Sequence, residues 1–223
     1  MVRLTKIAGI ILKRCQQIDP ESKAILETLM TRCNTLVELL SELIALESPE
    51  LKDLLEPVID EIFVDLNLTL TLAMGEQFKA SLVLARTCFE SSLYIIFFID
   101  HPVEARMWAN SKKDMAFSPI LEEITKKSYI QAACGVEEVD DAKLKTIALN
   151  LARAYRELSE RVHGKYSFLQ TVHKISQSSD DSILKSFSGL LNDAIRSIAD
   201  LAIIRLNRAS FIEERVPGLG KLR

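Results

Sequence analysis

"ASLVLARTCFESSLYIIFFI" (residues 80–99) is long enough and apolar enough to span a bilayer, which takes about 20 residues of helix. It is equally suited to the centre of a helical bundle. Arg86 and Glu90 decide between the two. Each charge near the middle of a span opposes insertion by about 2.5–3.5 kcal/mol. At a spacing of four residues they stand one above the other on a helix face and can neutralise each other. We read a buried core helix and no membrane span. Arg86 and Glu90 are expected to pair with each other, or with Ser159 and His163 on a facing helix, because an unpaired buried charge is costly.

Working outward, the same helical period recurs on both sides. Asp19 before Pro20 is a cap followed by a first-turn proline. From there Leu26, Leu29, Met30, Cys33, Leu36, Val37, Leu40, Leu43 and Ile44 form one stripe of an amphipathic helix to about residue 47. "SPE" (48–50) repeats the device and opens a second helix. Pro57 is expected to kink or restart it. Gly75 marks its end. Beyond "DHP" (100–102), shorter helices are expected at 102–113 and 118–133, then an acidic connector at 134–141. A long helix follows from Asp141 to His163, with Gly164 as its terminator. "SQSSDDS" (176–182) reads as a polar loop, and a last helix runs from 182 to 215. The expected fold class is all-α, an antiparallel bundle of four or more long helices with short accessory helices. We expect one helical domain over 1–223: a helical extension at 1–47, the bundle at 49–215 and a tail at 216–223.

Composition agrees. The 223 residues hold only seven glycines and six prolines, so helix breakers are scarce. A net charge of −3 gives no global basic field to gather nucleic acid. The four cysteines, Cys15, Cys33, Cys88 and Cys134, are dispersed, which favours reduced thiols and a cytoplasmic setting. The apolar run "IAGIIL" (7–12) is closed by Lys13 and Arg14, is short for a signal peptide and lacks a cleavage site after it.

Chemistry concentrates in "YRELSERVHGKY" (155–166), which holds one of three histidines. At about 100° per residue, Arg156 returns to within about 20° of His163, Ser159 to about 40° and Tyr155 to about 80°. Arg161 points elsewhere. Histidine titrates near neutrality and can move a proton. Arginine stays charged and can hold a phosphate in a planar fork. Together they suit phosphodiester cleavage in which RNA supplies its own 2′-OH, so that no metal or other cofactor is required. The bland alternative is a polar bundle face whose side chains bond to their neighbours.

The arginine, six residues and then histidine near the end of a long helix resemble the HEPN superfamily of helical domains. "GEQFKASLVLARTCFESSLYI" (75–95) resembles a helix of abortive-infection and related HEPN-like families. The resemblance covers roughly residues 58–165. It departs from the family motif at Glu157, where a polar Asn, Asp or His usually follows the arginine. It implies a four- or five-helix bundle, a homodimer and metal-independent RNA cleavage of a toxin or phage-defence kind. Arg156 and His163 would be catalytic, with Tyr155, Ser159, Glu90 and Arg86 in support. A non-catalytic scaffold binding a partner protein or nucleotide is the second reading, since some HEPN-like domains are not nucleases.

The remaining candidates read as structural. His101 and His173 are expected at solvent-exposed positions, and neither makes a metal-ligand spacing with His163. "EEVDD" (137–141) lacks the pattern of a calcium loop. Trp108 is expected to pack a short helix onto the bundle. The lysine pairs at 112–113 and 126–127 would be the natural phosphate contacts beside a bound RNA.

Overall fold

A computed structural model of the chain describes residues 19–75, 77–135, 137–162, 182–206 and 216. The described residues form eight helices and no strand: α1 (Pro20–Ala45), α2 (Pro49–Met74), α3 (Phe78–Asp100), α4 (Pro102–Ala109), α5 (Phe117–Ile124), α6 (Lys127–Cys134), α7 (Asp141–Val162) and α8 (Ser182–Leu206). The fold is all-α, and its ends are set by local chemistry. Asp19 Oδ1 accepts from the amides of Glu21 (2.9 Å) and Ser22 (3.0 Å). Ser48 accepts from Leu51 at 3.4 Å. Asp140 Oδ1 accepts from Lys143 at 3.0 Å and starts α7. Gly135, at φ 63°, ends α6 in the left-handed conformation that glycine adopts without strain.

Five long helices make the bundle. Helices α1, α3 and α8 run one way, and α2 and α7 the other. Side-chain bonds fix these directions. Ser81 Oγ donates to Thr69 O and Cys88 Sγ to Ile62 O, so α2 and α3 are antiparallel. Arg153 meets Asp193 and Lys143 meets Asp200, so α7 and α8 are too. Helix α3 is the centre, packed on α2, α7, α8, α1 and the short helices α4 and α5. It is the one helix among the described residues long and apolar enough to cross a membrane. Its apolar residues are consumed by those neighbours: Leu82, Ala85, Phe89, Leu93, Ile95 and Phe98 are at most 2 % exposed.

Three expectations change. Residues 20–45 are a wall of the bundle, packed on α2 and α8, and not an extension. Helix α2 does not restart at Pro57 but continues through it. Pro57 is exposed, so the Asp53 carbonyl that loses its donor can bond to water. The helix expected at 118–133 is two. Thr125 Oγ1 donates to Leu121 O at 2.6 Å, and Lys126 turns extended (φ −70°, ψ 132°). Positions 124 and 130 of one straight helix would differ by about 120°. The break lets both Ile124 (0 % exposed) and Ile130 (2 %) enter the core. Trp108 packs α4 on α3, with ring centroids 5.3 Å from Phe98 and 6.3 Å from Tyr94.

Candidate functional site

Helix α7 buries Leu144, Ile147, Leu151, Ala154 and Leu158, a stripe at helical spacing. Its other residues sort by their angle from that stripe. Tyr155, on its flank, is half-buried. Its ring stacks on Phe117 of α5, with centroids 3.8 Å apart and planes within 6°. The guanidinium of Arg86 lies 5.0 Å from the centre of the Tyr155 ring, and its Nη2 donates to the Tyr155 hydroxyl at 2.9 Å. Arg86 Nε also donates to Glu90 Oε1 at 3.0 Å. Arg86 and Glu90 therefore pair with each other and with Tyr155. Ser159, the alternative partner, is not bonded to either.

The pair is less buried than expected. The two side chains keep 25 % and 24 % of their exposure. Burial works against the Arg86 charge, but Glu90 and Tyr155 outweigh it and hold the guanidinium more firmly protonated than usual. Burial first, and then the Glu90 charge, pushes the Tyr94 phenol up to about 12.

Arg156 differs from its neighbours. It is exposed, and among the described residues it has no hydrogen-bond or ion-pair partner. Every other arginine whose side chain is described is engaged: Arg32, Arg86, Arg106, Arg153 and Arg205 make bonds within the chain, and Arg196 has a partner as well. The half-buried Ser159 has a sealed Oγ without a partner. The single face expected of Tyr155, Arg156 and Ser159 thus divides into an internal tie, a free cation and a sealed hydroxyl. His163, His173 and the side chain of Arg161 lie outside the described residues.

A second polar cluster closes one end of the bundle, and sequence reasoning missed it. Asp100 ends α3 and Arg205 lies in the last turn of α8. Arg205 Nε donates to Asp100 Oδ2 at 3.0 Å, its Nη2 bonds Oδ1, and its Nη1 donates to Ala133 O at 2.9 Å. The Tyr129 hydroxyl donates to Asp100 Oδ2 at 2.6 Å. Burial and that bond hold the Tyr129 phenol far above its ordinary range. Burial also raises Glu47, against the opposing pull of Arg205. His101 is not the solvent-exposed terminus expected of it. Its ring stacks on Phe97 at 3.9 Å, and its Nε2 lies 3.2 Å from Glu123 Oε1. A signal was present: Arg205 stands in "LAIIRL" (201–206), a charge inside an apolar run like Arg86.

The other groups are spoken for. Burial pushes the Cys33 thiol up to about 12 and raises Cys88 further still, so neither is a nucleophile at neutral pH. No cluster of three metal-ligating side chains occurs among the described residues. Lys113 and Lys126 pair with Glu104 (3.8 Å) and Glu122 (3.2 Å). Comparisons with family models, curated proteins and solved structures found no match.

Proposed function

We propose that the chain is a helical effector of HEPN type that cleaves RNA without a metal ion. The observation that carries this reading is Arg156, exposed on α7 and free of any partner among the described residues. A buried or paired arginine would be unavailable to a phosphate. In this reading His163 accepts the proton of a ribose 2′-OH. The 2′-oxygen then bonds to the adjacent phosphorus, the bond to the 5′-oxygen breaks, and that oxygen takes a proton as it leaves. Arg156 neutralises the charge that gathers on the phosphoryl oxygens. The Arg86–Glu90–Tyr155 tie supports α7 from behind and does not touch substrate. We take the working unit to be a homodimer with the 153–166 segments near its axis.

His163→Ala is expected to lower cleavage by about 10²–10⁴-fold, the usual contribution of a general acid or base, with the melting temperature unchanged. Arg156→Lys should be severe as well, since lysine keeps the charge but loses the fork. The assay is cleavage of a labelled single-stranded RNA in chelator. Cleavage that survives both substitutions would refute the assignment.

A scaffold is the second reading, favoured by one observation: three of the six residues named for the site, Arg86, Glu90 and Tyr155, are bonded to one another. A wild-type protein inert on every RNA offered, and monomeric at tens of micromolar, would decide for it.

A further inference from the structure

Helix α2 carries six carboxylates (Glu50, Asp53, Glu56, Asp60, Glu61 and Asp65) against one base, Lys52. Its net charge is therefore −5, whereas the whole chain carries only −3. Asp53, Glu56, Asp60 and Glu61 are exposed, and Asp65 is half-exposed. None of these five forms an ion pair among the described residues. The helix dipole accounts for acids in the first turn only, which leaves Glu56 to Asp65 unexplained. At spacings of three and four residues, Asp53 and Glu56, Glu56 and Asp60, and Glu61 and Asp65 repel each other along the helix.

The same outward side bears apolar residues. Phe63, Val64 and Leu68 are 47 %, 51 % and 46 % exposed. Val83 of α3, 40 % exposed, stands level with them, because the antiparallel register pairs Thr69 with Ser81 and Ile62 with Cys88. The polar side chains beside them bond back to their own helix: Asn67 donates to Phe63 O at 2.7 Å and Thr71 to Asn67 O at 2.8 Å. The result is an apolar strip continued by a row of unpaired carboxylates. From residue 53 to residue 68 it measures about 22 Å.

We propose that the outer face of α2 is a docking surface for a cationic amphipathic helix of another protein. Such a helix would seat its apolar side on Phe63, Val64, Leu68 and Val83 and its lysines or arginines beside Asp53 to Asp65. A helix-in-surface contact of this kind is read through anchors at helical spacing, and the charge row sets orientation and encounter rate. Charge complementarity selects this occupant. A second copy docked face to face would set carboxylates against carboxylates, and a bare metal ion would need acids gathered at one point, which the described residues do not offer. The surface stands independently of any RNA chemistry at α7.

The test uses the full chain and a fluorescein-labelled 18-residue peptide of lysine and leucine at amphipathic helical spacing, read by anisotropy. A scrambled peptide of the same composition and a glutamate-for-lysine peptide are the controls. Wild type is expected to bind the amphipathic cationic peptide at least tenfold tighter than either control. Val64→Asp, and separately Asp60→Lys with Glu61→Lys, should weaken that binding tenfold or more. Glu27→Lys with Glu122→Lys, an equal charge change elsewhere, should not. Melting temperatures confirm that each variant is folded. Equal binding by wild type and the α2 variants would overturn the proposal. So would self-association in sedimentation that Val64→Asp abolishes, since the occupant would then be a second copy.

Discussion

Arg86 and Arg205 show how a charge inside an apolar helix is accommodated. Each is held by a carboxylate and a tyrosine-linked network: Arg86 by Glu90 and Tyr155, Arg205 by Asp100, which also receives Tyr129. They differ in burial and in number of bonds. The Arg86 pair keeps about a quarter of its exposure, whereas Arg205 and Asp100 keep 16 % and 17 %. Arg205 also satisfies the Ala133 carbonyl. Truncating a cation leaves its carboxylate unpaired, at about 3–5 kcal/mol when fully buried and under about 1 kcal/mol when exposed. Arg205→Met should therefore destabilise by about 2–4 kcal/mol and Arg86→Met by about 1–2 kcal/mol. Urea titration of the two variants measures the order, and equal midpoints would contradict it. The Arg86–Glu90 pair was legible in the sequence because its partner lies four residues away. The Asp100–Arg205 pair was not, because its members stand 105 residues apart and only packing brings them together.

At the scale of the helix, hydrophobic period and caps located the long elements to within a few residues, and the expected end of the last one at 215 lies outside the described residues. What they could not specify was continuity. Pro57 was expected to kink or restart its helix and does not restart it, because it falls on the solvent side, where a freed carbonyl can bond to water. "ILEEITKKSYIQ" (120–131) looked like one helix and is two, because Ile124 and Ile130 must both be buried and one straight helix would aim them apart. Local propensity is silent on both, since each depends on which side faces the core. Pro57 still costs its helix a hydrogen bond. Pro57→Ala restores the amide donor to Asp53 O and removes the ring clash, for which helix hosts give about 3 kcal/mol. The freer unfolded chain takes back about 0.4–1 kcal/mol. A net gain of about 2 kcal/mol is expected, seen as a raised urea midpoint with unchanged slope. A lower midpoint would mean that α2 relies on a bend at this proline.

For the whole molecule, the decisive question is whether the first long helix belongs to the cooperative unit. The sequence separates it from the rest at "ESPE" (47–50), and the HEPN-like resemblance begins only near residue 58, so an extension was the natural expectation. The packing is otherwise. Leu29, Cys33, Leu36, Leu39, Leu40, Leu43 and Ile44 of α1 are at most 3 % exposed. They lie against α2 and α8 and touch α3. Helix α8 has α1 on one side and α7 on the other, so α1 joins the two ends of the described chain and closes the ring of long helices. Burying a leucine side chain contributes about 1.5–3 kcal/mol, so these seven residues together contribute an amount of the same order as the roughly 5–15 kcal/mol that separates a typical folded domain from its unfolded state. A chain lacking residues 1–47 should accordingly lose cooperative unfolding, bind a hydrophobic dye and expose α3 to protease. In the intact protein one transition should govern both far-ultraviolet dichroism, which reports all helices, and the fluorescence of Trp108, which reports the α3–α4 contact. Two separate transitions, or a sharp melt in the shortened chain, would restore α1 to the status of an appendage. They would also leave the bundle to stand on α2, α3, α7 and α8, with the α1-facing sides of α2 and α8 open to solvent.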